Sequence, residues 1–447
     1  YKRQLDKYVL TATLRRDGTD KFFPGNKYAL FPSVSGAWKI SNENFLKNIS
    51  WINLLKLRAS WGKTGQDNLG SSLYGSYAPN NFKVNFSDNG IINIPYVSMG
   101  ANYPDVSWQK TTMKNIGLDF YLLSDRISGS FDFFRNDITR LLGYASTSPL
   151  AIYETRPING GHYYRRGWEL MVDTKNLVGE FTWDTSLTFS KTNSFWKERL
   201  PNYDYQIYQQ RENEPMSAYY YYNVTGIINT DRSNMPESQK TLQAEAQLPG
   251  CPIIEDKNKD GKIDENDVYM KDNSPAIYVG IGNTFTYKRF EFSFFMYGQF
   301  GIQKYNIAYS AAQAGPLAVD YPENSNKFAY RLWNSQTNPN GSRPGLAIGK
   351  MGALPGNAWV NADRENASFM RMRNITLAYN LAGNILGSLQ RYVRNIKVYV
   401  DAQNPFILTK FQGFDPEIYT GGGGASGGSR GEYPQTRTFS LGANITF

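Results

Sequence analysis

The chain has 447 residues, with 48 Lys plus Arg against 39 Asp plus Glu, a single His (His162) and a single Cys (Cys251). Charged residues reach only 19%, below the roughly 25% of an ordinary soluble domain, while aromatics reach 15%. Together these exclude a disulfide framework, a thiolate zinc site and a multi-histidine metal centre within the chain. No run of 18 apolar residues offers a transmembrane helix, and the net charge of +9 comes from scattered Lys and Arg, which argues against nucleic-acid binding.

Strand-like sequence begins at Tyr8, with no initiator Met and no apolar leader ahead of it, so the chain reads as mature or truncated. From there, alternation at period two dominates. It predicts twelve strands, at 7–16, 29–40, 52–62, 112–123, 127–137, 165–175, 181–191, 276–287, 290–302, 367–381, 395–404 and 436–447. Ile116, Leu118, Phe120 and Leu122 share one face. Phe181, Trp183, Leu187 and Phe189 repeat the pattern, as do Phe290, Phe292, Phe294 and Met296. In the last strand Phe439, Leu441, Ala443, Ile445 and Phe447 alternate with small polar residues.

A soluble sandwich and a transmembrane barrel both produce such strands. Length favours the barrel: a tilted crossing strand needs about 9–11 residues, against a mode of about 5–6 in globular sheets. The connections decide more firmly. Long ones, at 17–28, 63–111, 138–164, 192–275, 303–366 and 405–435, alternate with short ones. Short turns at one end and long loops at the other are how outer-membrane barrels are built. The fold class expected is therefore all-β, a transmembrane antiparallel barrel with long extracellular loops and both chain ends on the periplasmic side. Tyr219–Asn229 would break the parity as a further strand and is assigned to the 192–275 loop. The stretch Gly421–Gly431 reads as a mobile external loop tip.

The sharpest local motif spans Asp256 to Asp267 and matches an EF-hand-type loop, D-x-[DN]-x-[DN]-G. Ca2+ would take oxygens from Asp256, Asn258, Asp260, the carbonyl of Lys262, Asp264 and Asp267, with Gly261 at the sharp turn and Ile263 anchoring the loop. A structural role for the ion is expected, because position 12 is Asp rather than Glu and amphipathic helices do not flank the loop. The alternative is an acidic turn without metal.

Catalytic chemistry finds little support. His162 is the only imidazole, assigned to an external loop without a catalytic role, and no G-x-S-x-G elbow occurs. Cys251, between Gly250 and Pro252, reads as a structural thiol. Aromatic residues in the loops are better candidates for ligand contact: Tyr219, Tyr220, Tyr221 and Tyr222 in the 192–275 loop, and Trp333 and Trp359 in the 303–366 loop. The competing reading is that these rings pack the loops against each other.

Several stretches, in order along the chain, resemble the SusC/RagA family of TonB-dependent outer-membrane transporters of Bacteroidetes. They include Leu10-Thr-Ala-Thr-Leu-Arg-Arg-Asp-Gly18, Phe31-Pro-Ser-Val-Ser-Gly-Ala-Trp38 and Leu55-Lys-Leu-Arg-Ala-Ser-Trp-Gly-Lys-Thr-Gly65. Arg166-Gly-Trp-Glu-Leu170, Ala367-Ser-Phe-Met-Arg-Met-Arg-Asn-Ile-Thr-Leu377, Gly413-Phe-Asp-Pro-Glu417 and Tyr433-Pro-Gln-Thr-Arg-Thr-Phe439 continue the order. The resemblance implies the C-terminal part of a barrel of about 22 strands, with the plug and the segment that meets TonB lying ahead of Tyr1. It implies import of a nutrient oligomer, a glycan or an oligopeptide, no enzymatic activity, and a SusD-like surface lipoprotein as lid, in pairs of transporter–lid units. It also marks Phe447 as the residue that outer-membrane assembly would read. A passive 12-stranded porin and an outer-membrane adhesin or enzyme are the competing functions.

Overall fold

The structure is a computed structural model. It describes residues 2–4, 7–69, 102–147, 155–201, 205–209, 213–306, 327–382, 391–413, 415–417 and 435–447, with short stretches between 73 and 98 and at 386–387. The Gly421–Gly431 segment lies outside the described residues.

Twelve long strands stand at the expected places: β1 Tyr8–Gly18, β2 Tyr28–Lys39, β3 Ile52–Gln66, β4 Gln109–Leu122, β5 Ile127–Ser146, β6 Thr155–Leu177, β7 Phe181–Glu198, β8 Ile277–Tyr287, β9 Phe290–Phe300, β10 Phe369–Ala382, β11 Asn395–Gln403 and β12 Thr438–Thr446. The chain divides into two compact units, residues 1–169 with 193–205 and 212–216, and residues 170–192 with 206–211 and 217–447. In the first, β1 to β6 pair with sequence neighbours, and Lys2–Gln4 extends the edge at β1. In the second, β6 to β12 do the same. Among these twelve strands every pairing with a described register is antiparallel, from Tyr8↔Trp38 to Asn395↔Thr446. A tight turn at Lys288 (φ 55°) joins β8 to β9, as the twist of a two-residue hairpin demands.

Two of the expected boundaries are corrected. β5 runs on to Ser146 and β6 starts at Thr155, so most of the 138–164 connection is strand, and His162 is a strand residue rather than a loop residue. These strands have 20 and 23 residues, well beyond the 9–11 or so that cross a bilayer. The extensions alternate less cleanly because they carry polar and aromatic side chains instead of an apolar stripe, so their period is weak in the sequence.

The two faces of the long strands differ. On one, apolar side chains are turned outward and uncovered: Leu10, Leu14 and Leu30 in the first unit, Phe290, Leu377 and Val400 in the second. Leu441 is 78% exposed, Ile445 51% and Phe447 78%, so the apolar stripe of the last strand is not the inside of a water-soluble core. The other face is polar and paired. Lys56 and Arg58 of β3 bind Asp119 of β4 at 2.7 and 2.8 Å, and Arg58 reaches Asp132 of β5 at 2.9 Å. Gly117 lies between, and a Cβ there would come within 2.7 Å of the Arg58 Nη2. In the second unit, Lys397 binds Glu291 at 2.9 Å and Thr376 donates to Asp401 at 2.6 Å.

Tightly packed apolar clusters lie instead in the connections. One gathers Phe22, Leu69, Leu73, Val106 and Trp108 against Phe31 of β2. A second, in the second unit, is built by residues 208–268 and 351–358 around Tyr222, Ile228, Ile254 and Val268. A long connection that folds on its own core holds its surface residues in fixed positions, which a structureless loop of that length does not.

Candidate ligand-binding site in the long connections

The strand Ala218–Tyr222 pairs antiparallel with Tyr269–Asp272 and parallel with Trp359–Val360. Its four tyrosines therefore split between two faces. Tyr220 and Tyr222 turn to the core, where Tyr222 is fully buried and its hydroxyl donates to the carbonyls of Asp264 and Pro355, both at 3.0 Å. Burial raises the Tyr222 phenol above its ordinary value. Tyr222 is thus a packing residue and not the ligand contact expected of it, because a side chain with no exposed surface cannot stack on anything that arrives. Tyr219 and Tyr221 take the other face, where Tyr219 stacks on Tyr221 and Tyr221 on Tyr269, with ring centroids 5.2 and 5.8 Å apart. Trp359 is 59% exposed.

Beside this ladder lies a cleft of ≈ 640 Å³, bordered by residues 224–229 and 339–344, with Trp333, Asn361 and Arg364 in its wall. Arg364 connects the two features: it lines the cleft, and its guanidinium carbon stands 3.8 Å from the Tyr219 ring centroid. Burial depresses the Arg364 guanidinium below its usual range. Trp333 is held by glycines. A Cβ at Gly250 would lie 2.8 Å from its Cε3, and Gly250 has φ +88°, so space and backbone both require glycine there.

The asparagines of the wall are held by hydrogen bonds. Asn234 donates to the Ile227 carbonyl at 2.8 Å and accepts from the Asn229 N–H at 3.0 Å. Asn361 donates to Asn223 Oδ1 at 2.8 Å and accepts from the Val224 N–H at 3.1 Å. The Oδ1 of Asn229 has no hydrogen-bond partner among the described residues. Of the residues expected from sequence, Trp333 and, through Arg364, Tyr219 come together here. Asn229, Asn234, Asn361 and Arg364 were not expected. Polar residues scattered over separated loops leave no periodic signal.

In the wall of the cleft, Arg343 binds Glu365 at 2.9 Å. Burial pushes the neighbouring Asp363 carboxyl up to about 6, against the opposing pull of Arg343. Cys251 is buried, its thiol pushed up to about 11 by burial, and it packs in the core as a structural thiol. In the first unit, the His162 Nε2 stands 3.6 Å from Asp137 Oδ1, which Arg135 already binds at 3.0 Å.

The Asp256–Asp267 loop is closed by its own backbone. Asp256 accepts from Gly261 N–H at 2.9 Å, Asp260 from Lys262 N–H at 2.9 Å, and Asp264 from Asn266 N–H at 2.8 Å. Asp267 accepts from Lys257 and Asp264 N–H at 2.8 and 2.9 Å. Gly261 has φ +84°, and Ile263 is buried in the core as its anchor. An all-oxygen donor set suits calcium in kind, and each carboxylate has lone pairs to spare. Even so, among the described residues no three His, Cys, Asp or Glu are gathered as a metal-holding group.

Long antiparallel strands with an outward apolar face, and polar connections folded beyond them, define a class: a β-barrel wall of the outer membrane. The chain is 30% identical over 455 residues to the TonB-dependent receptor SusC of Bacteroides thetaiotaomicron, covering 99% of this chain and 42% of that protein. It is 28% identical over 461 residues to TonB-dependent receptor P3 of Formosa agariphila, covering 99% of this chain and 44% of that one. Among solved structures, the RagAB peptide importer in its "closed-closed" state matches 99% of this chain and 46% of that chain with a TM-score of 0.76 at 21% identity, a likeness of fold. The "open-open" state of the same importer gives 0.74. No family model matches the chain. The chain spans less than half the length of the curated relatives it matches, on their C-terminal side. The chain is thus similar in sequence to the C-terminal part of TonB-dependent receptors such as SusC.

Proposed function

We propose that the chain supplies barrel wall and ligand-capturing loops to an importer that carries a nutrient oligomer, a glycan, across the outer membrane. The observation that carries this reading is the cleft beside Arg364: an indole, fixed amides and a guanidinium offer a sugar ring an apolar face and its hydroxyls a set of donors and acceptors. Kinship with SusC supports the import role. The same kinship supports TonB as the energy source and a SusD-like lipoprotein as the lid over these connections, in pairs of transporter–lid units. The work is capture and passage, with no covalent step.

Trp333→Ala in the protein with all of its native sequence is expected to weaken oligosaccharide binding about tenfold, ~1.4 kcal/mol, by isothermal calorimetry. Unchanged affinity would remove the cleft from the reading. Heat with peptides, and none with oligosaccharides, would replace the glycan by an oligopeptide.

The proposal extends to calcium as a structural ion. Asp256, Asn258, Asp260, the Lys262 carbonyl, Asp264 and Asp267 would hold it, and it would stiffen the loop packed through Ile263 onto the core. Calcium titration should release heat that Asp260→Ala abolishes, whereas a flat trace with the parent protein removes the site.

A further inference from the structure

The strand register of the first unit sorts its cations by face. Lys56 and Arg58 point to the face opposite Leu57 and are neutralised by Asp119 and Asp132. On the Leu57 face, the paired residues change character toward the end of the strands that carries the long connections. Leu57, Leu118 and Phe131 are neighbours, then Ala59, Ile116 and Phe133. One step further come Trp61, Lys114 and Arg135, and beyond them Lys63 and then Lys110. Arg16 and Leu30 are paired at the same end of β1 and β2.

Arg16, Lys110 and Arg140 converge on a cleft of ≈ 680 Å³ with Tyr28, Leu30 and Trp108, and none of its lining residues is a carboxylate. Among the described residues Arg16, Lys63, Lys110, Lys114 and Arg140 make no ion pair; Arg16 and Lys63 lie over the rings of Tyr28 and Trp61, at 4.4 and 5.7 Å from the centroids. Asp137, two residues on from Arg135, is taken by that arginine and faced by His162, and Lys114 lies within reach of its charge without forming an ion pair. The corresponding face of the second unit does not repeat the belt. There Phe294 and Ile375 are paired, then Met296 and Met372, then Gly298 and Met370.

Cations without an ion pair directly beyond an uncovered apolar stripe, with Trp61 and Tyr28 among them, suit an anion that is itself tethered at that depth. Bulk anions would be screened and lost at physiological ionic strength. We propose that this belt binds the phosphate groups of phosphorylated outer-leaflet lipids, with the acyl chains against Leu10, Leu14, Leu30, Ile116 and Phe133 and the headgroup phosphates on Arg16, Lys110, Lys114 and Arg140. The apolar stripe holds the chains of any lipid, so the belt sets which headgroup stays. Each cation near a membrane surface attracts an anionic headgroup additively.

The test uses the protein with all of its native sequence, extracted from outer membranes, with bound lipids counted by native mass spectrometry. The triple variant Lys110→Gln, Lys114→Gln, Arg140→Gln should retain at least about tenfold less phosphorylated lipid than the parent. It should also keep the heat-dependent gel shift of a folded barrel. A control triple, Lys197→Gln, Lys240→Gln, Lys271→Gln, removes the same charge from elsewhere on the chain and should retain parental lipid. A large excess of inorganic phosphate should leave the parental lipid in place. Equal lipid on the belt variant and the parent overturns the proposal. So does equal loss in the control triple, or displacement of the lipid by free phosphate, which would make the belt a general anion site.

Discussion

Replacing Arg371 by alanine is expected to cost the second unit ~3–5 kcal/mol, the cost of leaving buried charges without their partner. Arg371 of β10 is 3% exposed and binds both oxygens of Asp415 at 2.7 Å, and its Nε binds Glu417. Tyr297 of β9, paired with Arg371, donates to the same Glu417. Asp415 also accepts from the Glu417 N–H at 2.9 Å, so the Arg371 guanidinium and the Tyr297 hydroxyl together tie the connection after residue 403 to two strands of the sheet. Chemical unfolding of the folded barrel, followed by its gel shift, should show a lower midpoint for Arg371→Ala. A triple variant Arg371→Met, Asp415→Asn, Glu417→Gln should recover most of the loss, because no charge is then left unpaired. If Arg371→Ala unfolds with the parent, the cluster does not hold the connection.

The second large effect concerns the apolar face. Leu441→Arg, near the middle of β12, should destabilise the inserted protein by ~2–4 kcal/mol, the cost of a cation in hydrocarbon, and its level in the outer membrane should drop. Ser440→Arg, one residue earlier and beside Asp401 on the opposite face, should be tolerated. The pair differs by one position, so composition and strand propensity cannot explain a difference between them. Equal levels for both variants would mean that the exposed stripe formed by Leu441 and Ile445 does not meet lipid.

The Asp256–Asp267 motif was legible for a physical reason. Its geometry is local: each of the first three oxygens bonds a backbone N–H within five residues. The Arg371 cluster left no such trace, since its acids stand 44 and 46 residues away along the chain. The tyrosine quartet fell between these cases. Four adjacent rings announce an aromatic surface, but the partners of Ala218–Tyr222 decide which two of them are covered. One of those partners, Trp359–Val360, arrives from a different connection.

The sequence by itself determined that this protein is a meander of long antiparallel strands with one greasy face, carried its resemblance to the SusC/RagA-type receptors and located the strand centres. Strand alternation is written residue by residue and needs no knowledge of neighbours. Only the tertiary structure decided where β5 and β6 end, that Tyr222 is core, and that Trp333 shares a cleft with Arg364. It also decided that the cations of β3 and β4 divide into an ion-paired set and a belt without ion pairs. Each of these depends on which strand or loop lies alongside, and pairing between distant segments is set by register and burial rather than by any local pattern.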